Sequence, residues 1–350
     1  MESAQNLLLL IVPGLSLRLL QNYRRQTSYL SMLGREGFMT PVVPIFPAIY
    51  PTLEATYLTG MLPSMHGISS DAQVDLVAHG ARENRQVADP AKGWIEARLT
   101  LWHRARKRRP DLTVASLGEL PTGVREQGAV MLRVRQARES LLLAYQESVV
   151  GVPLVDGNMF SRAMAPTMES FDADCFRLAQ ACKAAGRAFC VIGASALTPV
   201  SRCLDLCREI FGREAPGNVL FARSYSQIQH IYAPPSLVPD LLSRLRALDC
   251  LERVLEGDDL AEFALNHPTA GNIVALARRD IGFWPGESLD RFKPPMRPPA
   301  CSHGHMAEDP LDRPVMIGVG FAQPKALIGA CEVAGILDRV LTGVAVHDKV

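Results

Sequence analysis

The sequence lacks any pair of cysteines at C-x-x-C spacing, although it holds eight cysteines in 350 residues. That absence excludes a zinc ribbon and a thioredoxin-like redox motif, and without an export signal the eight read as reduced thiols of a cytoplasmic protein. Long apolar runs are missing too. The longest near the start, Asn6 to Val12, is too short to span a bilayer and has neither the basic flank nor the cleavage site of a signal peptide, so it reads as a buried strand. Charge of one sign is also missing: the formal net charge is +1, which calls for neither nucleic acid nor an anionic membrane as partner. The one basic cluster, Arg104 to Arg109, reads as the solvated end of a helix closed by Pro110. No internal repeat or low-complexity tract is present.

What is there is an α/β alternation in a chain 48% hydrophobic and 21% charged, enough for one large core. Strand-like runs stand at Leu7 to Val12, Leu112 to Leu117, Ala129 to Val134, Val149 to Val155, Ala188 to Ile192, Val219 to Ala222, Ile228 to Ala233, Asn272 to Ala277 and Val315 to Val319. Helical patterns fall at Ser16 to Glu36, Thr52 to Thr59, Pro90 to Arg108, Ala137 to Gln146, Ser170 to Ala185, Leu204 to Phe211, Leu237 to Leu248 and Pro324 to Ala334. Strands separated by helices imply a largely parallel central sheet with helices on both faces, and such sheets bind ligands at the carboxyl ends of their strands. A single domain over 1–350 is expected, with irregular loop insertions at about 67–88 and 283–314, the second rich in proline.

The most specific stretch runs from Phe46 to Ile68, FPAIYPTLEATYLTGMLPSMHGI. It resembles the nucleophile segment of the type I phosphodiesterase/nucleotide pyrophosphatase family, a branch of the alkaline-phosphatase superfamily. Phe46, Pro47, Thr56, Thr59, Gly60, Pro63, Ser64, His66, Gly67 and Ile68 fall in step with it. Leu197 to Arg202 (LTPVSR), Leu265 to Gly271 (LNHPTAG) and Ser302 to Gly304 (SHG) extend the resemblance over nearly the whole chain. It implies an alkaline-phosphatase-like fold and two zinc-like cations that activate a threonine hydroxyl and clamp a phosphoryl group.

Against that pattern the sequence departs. Pro13 stands where the resemblance implies a metal-binding Asp, and Tyr50 where it implies the nucleophilic Thr. An Asp-His pair falls on Ala194 and Ser195, and an Asp-x-x-x-His element on Asp156 and Phe160; the last His survives as His303. One carboxylate and one imidazole cannot hold two cations, so no metal or other cofactor is expected. The helix starting near Thr52 would still turn its N-terminus toward the pocket and favour a small anionic ligand.

The expected catalytic trio is Tyr50, Asp156 and His303, clustered within direct or one-water reach, with Thr52, Arg162 and Arg202 binding substrate. Cys301, His303 and His305, in C-x-H-x-H order, offer an alternative single-metal site if they alternate along an extended strand. His66 reads as structural, as do His230 and His267. Three readings of function stay open: an enzyme repurposed for metal-independent chemistry on a small molecule, a non-catalytic protein that binds a ligand or partner, and a residual metal-dependent phosphoester hydrolase.

Overall fold

The computed structural model describes residues 5–70, 101–105, 107, 112–121, 124–212, 215–222, 224–284 and 298–343. Most of the expected helix Pro90 to Arg108 and most of segment 67–88 lie outside these, while residues 101–105 of that helix are described and helical. Strands follow in the order β1 (Leu7–Pro13), β2 (Phe38–Val43), β3 (Val114–Glu119), β4 (Leu141–Tyr145) and β5 (Ala188–Ala194). Next come β6 (Thr198–Pro199), β7 (Arg202–Leu204), β8 (Leu220–Phe221), β9 (Ile228–Tyr232) and β10 (Leu251–Glu256). The last five are β11 (Ile273–Ala277), β12 (Ile281–Phe283), β13 (Cys301–Ser302), β14 (Val315–Val319) and β15 (Ile328–Gly329).

The central sheet has seven strands in the order β15-β2-β14-β5-β1-β4-β3. Pairs β1–β4, β1–β5, β3–β4 and β15–β2 are parallel, while β14 runs antiparallel between β5 and β2. Strand β1, LLLLIVP, is buried at every position, as a central strand covered on both faces must be. Its residues divide by pleat. Leu7, Leu9 and Ile11 pack with Tyr50, Leu53 and Tyr57 and with Val333, Ile336 and Leu337 of the last helix. Leu8, Leu10 and Val12 pack with Leu30 and Leu33, and with Met168, Phe171, Cys175 and Leu178 of the long helix Met164–Ala184. The fold is thus α/β, with helices against both faces of a mostly parallel sheet.

The runs Val219–Ala222, Ile228–Ala233 and Asn272–Ala277 leave this sheet. They join β10 in a separate antiparallel sheet ordered β10-β11-β9-β8, with its own apolar cluster around Leu241, Leu245, Ile273 and Phe283. Four expected elements are corrected. In Pro324 to Ala334 the strand β15 takes Ile328–Gly329, and the helix begins only at Glu332 and runs to Thr342. Ala129 to Val134 belongs to a helix, Val124–Gln136, and the expected helix Ala137 to Gln146 contains instead the buried strand β4. Val149 to Val155 is helical as part of Ser148–Asp156. The described part of segment 283–314 is tied to the fold through β13, through a Ser16–Pro314 bridge, and through Arg18, which pairs with Asp309 and Asp312.

Candidate active site

The helix Tyr50–Thr59 starts where Ile49 is extended and Pro51 presets its first turn, and it stops at Gly60 in left-handed backbone (φ +65°). Nine of its ten residues are buried, so packing on all sides holds it rather than one amphipathic face. The phenol of Tyr57 donates to Gly193 O at 2.9 Å and anchors the helix to the carboxyl end of β5. At the far end the Ile68 amide donates to His66 Nδ1 at 3.0 Å. The ring's proton therefore sits on Nε2, which faces Thr56 Oγ1 at 3.1 Å. Burial pushes the His66 pKa down to about 3, so this ring is a neutral brace. Gly67, at φ +72°, lies under the His267 ring; a Cβ there would sit 2.5 Å from His267 Cε1.

Tyr50, the first residue of that helix, stacks on His303 with ring centroids 4.2 Å apart and planes inclined by 17°. Both side chains are buried, and backbone bonds fix the histidine on each side: Gln227 N–H donates to His303 O at 2.7 Å, and Ala48 N–H to Gly304 O at 3.0 Å. Strand β13, just before His303, pairs antiparallel with β6 through Thr198 and Ser302. Two hydroxyls at this end of the sheet, Thr52 Oγ1 on the first turn of the helix and Ser195 Oγ directly after β5, are fully buried and have no hydrogen-bond partner among the described residues. Ser195 also has φ +59°, unusual for a residue with a Cβ.

Around them the strand ends are apolar. Pro13 pairs with Ala194, and the Gly14 amide donates to Ala194 O at 3.1 Å. The space beside Gly14 is taken by Val150 and Leu197, with Val150 Cγ1 3.1 Å from where a Gly14 Cβ would stand.

Among the described residues Asp156 makes no direct bond to the Tyr50–His303 pair, although its charge bears on Cys301, two residues before His303. It ends the Ser148–Asp156 helix, about 9 Å along the axis from Val150 at 1.5 Å per residue, and its exposed side chain accepts the Asn158 amide of its own turn at 3.0 Å. Val150, not Asp156, faces the end of β1. Arg162 and Arg202 are exposed. Arg202 lies on β7 against β12, and its charge bears on Cys250 at the edge of the smaller sheet. Neither arginine joins the stack. Phe160 is likewise exposed.

The Cys301/His303/His305 arrangement also fails to converge. Strand β13 stops at Ser302, and Gly304 at φ +133° turns the chain, so the alternation that would align the three side chains is broken. His305 Nε2 meets Ala277 O at 2.8 Å in the smaller sheet, and burial pushes the Cys301 thiol up to about 12. Among the described residues no three His, Cys, Asp or Glu side chains converge as a metal site.

Sequence reasoning placed Ser195 only as a position of the implied Asp-His pair, without a role, and missed Val150 beside Gly14. For Ser195 the further signal was present, since a lone hydroxyl after an apolar strand marks a strand end in an α/β sheet.

A mostly parallel sheet crossed by one antiparallel strand, with a buried helix presenting its first turn at the strand ends, is the alkaline-phosphatase-like architecture. The description "type I phosphodiesterase / nucleotide pyrophosphatase" is that of the family model matching residues 7–169. The first part of the chain, residues 7–169, is thus similar to that family. Human ectonucleotide pyrophosphatase/phosphodiesterase 5 superposes with a TM-score of 0.73 at 16% identity, over 98% of this chain and 96% of that one. An inactive variant of the murine protein, solved in complex with AMP, gives 0.72 at 15% identity over 96% and 95%. Phosphonoacetate hydrolase from Sinorhizobium meliloti 1021, bound to phosphonoformate, gives 0.64 at 13% over 98% and 96%. A comparison with curated proteins finds no match.

Proposed function

We propose that this protein binds a small anionic molecule at the N-terminus of the Tyr50 helix and acts on it without a two-metal centre, Tyr50 and His303 serving as acid and base. The observation that carries the reading is the Tyr50–His303 stack, a phenol and an imidazole in contact, the phenol at the place where the family resemblance implies the nucleophile. Supporting it are the field of a helix N-terminus, which favours an anion, and the buried hydroxyls of Thr52 and Ser195, donors that a ligand oxygen would satisfy. AMP and phosphonoformate, bound to the structural relatives, suggest a phosphate- or phosphonate-bearing ligand. The same reading puts the protein in the cytoplasm, in keeping with eight free thiols; among the described residues no helix is long and apolar enough to cross a membrane.

The test combines elemental analysis of purified protein with calorimetric titration of AMP in the presence of a chelator. Expected are less than one equivalent of zinc per chain, and AMP binding that weakens about tenfold in Thr52→Val through loss of a buried hydrogen bond. A nitrophenyl phosphodiester should not turn over above background with zinc, manganese or neither. Two equivalents of zinc, or AMP binding that needs zinc, would overturn the proposal. Chelator-resistant binding with no turnover of any phosphate or phosphonate ester in a substrate panel would support a binding protein instead of an enzyme.

A further inference from the structure

Strand β9 carries His230 into the seam between the smaller sheet and the turn that follows the Tyr50 helix. The ring is 1% exposed. Its Nδ1 lies 2.8 Å from Ala270 O and its Nε2 2.7 Å from Ser69 O. Both neighbours are backbone carbonyls, which only accept. A neutral imidazole carries a single N–H and would set a lone pair against a carbonyl oxygen on the other side, whereas an imidazolium donates to both.

We infer that His230 is held as an imidazolium, and that its two charge-assisted bonds latch the Ile68–Ser69 turn to the smaller sheet until rising pH removes the proton. His66 in the same turn gives the contrast: its Nδ1 receives an amide, so it sits neutral. Among the described residues, the titratable and charged groups on the elements packed against this seam are His66, His267, Arg104 and Tyr232. Burial pushes both histidines down, Arg104 adds to that in each, and burial pushes the Tyr232 phenol up.

The turn has a second, uncharged tie. Thr269 Oγ1 donates to Gly67 O at 2.6 Å, and the Tyr232 phenol donates to Thr269 O at 2.5 Å. Loss of the His230 proton therefore loosens Ser69 without releasing Gly67. His66 and Gly67, which brace the end of the Tyr50 helix, keep their own bonds, so the latch governs the Ile68–Ser69 turn beyond them.

Nitrogen NMR of the full chain labelled at histidine tests the charge directly, with His230→Gln used for assignment. At about pH 6 His230 should show two protonated ring nitrogens, and His66 one. A lone-pair nitrogen on His230 there would sink the inference. Hydrogen exchange supplies an independent readout. Corrected for intrinsic rates, the amides of Ser69 and Ser70 should exchange about tenfold faster near pH 9 than near pH 6. The same amides should be insensitive to pH in His230→Gln. Protection that does not change with pH in the wild type would show that no charge-dependent latch exists.

Discussion

Ser195 carries two costs at one position. Its backbone is left-handed, and its hydroxyl is buried without a partner among the described residues. Glycine would remove both, so Ser195→Gly should raise stability by about 0.5 to 1 kcal/mol in urea unfolding, while weakening AMP binding. A loss of stability instead would mean that the hydroxyl is satisfied within the fold and has no ligand role. Gly67 predicts the opposite sign. Its left-handed backbone lies against the His267 ring, and Gly67→Ala should cost about 2 kcal/mol or more by the same measurement. Among single residues, Tyr50 and His303 were legible because each sits inside a motif whose spacing fixes it. Asp156 and His305 were not. Each was placed by counting along an element whose type was still a guess: a helix put Asp156 past the site, and a glycine turn took His305 out of line.

Elements were legible where pattern and punctuation agreed. The Tyr50–Thr59 helix has proline at its start, glycine at its end and a motif between them, and the structure matches the expected Thr52 to Thr59 closely. The run Val149 to Val155 is apolar and β-branched, so it reads as a strand by composition. It folds as a helix because β4 already ends at Tyr145, and the chain must cross over before it can enter the sheet again. The exchange of helix and strand between Ala129 and Gln146 has the same origin, short apolar runs that fit either period. One helix depends on a residue far away in sequence: Asp172 of the Met164–Ala184 helix accepts the Tyr29 and Leu30 amides at 3.0 and 2.8 Å, capping the helix Ser28–Glu36. Asp172→Ala should cost about 1 to 2 kcal/mol by leaving two first-turn amides unmet. Circular dichroism in urea would read it, and an unchanged midpoint would show that the cap contributes nothing.

At the scale of the whole molecule, buried histidines make stability depend on pH. His66 is pushed from 6.5 to about 3, and His267 and His305 are lowered as well, all chiefly by burial. Below their unfolded value the unfolded chain takes up protons that the folded chain refuses, so the stability they contribute is full above about pH 6.5 and declines as pH falls toward 3. The urea midpoint should therefore drop between about pH 7 and about pH 5, and His66→Gln should flatten that slope. A slope unchanged in the variant would mean that other groups carry the acid sensitivity. The imidazolium inferred for His230 works in the opposite direction, losing its contribution as pH rises.

The antiparallel strand β14 also has a consequence for how the chain is made. It lies between β5 and β2, so the two halves of the central sheet are joined by residues 315–319, near the end of the described chain. While the chain emerges from a ribosome, β1, β4 and β5 can associate early, but β5 and β2 each present a row of open amides and carbonyls until β14 arrives. Until residues 315–319 are made, the nascent protein thus carries a slot one strand wide through its middle. Cells short of holding chaperones should lose newly made protein to aggregation well before finished molecules are at risk.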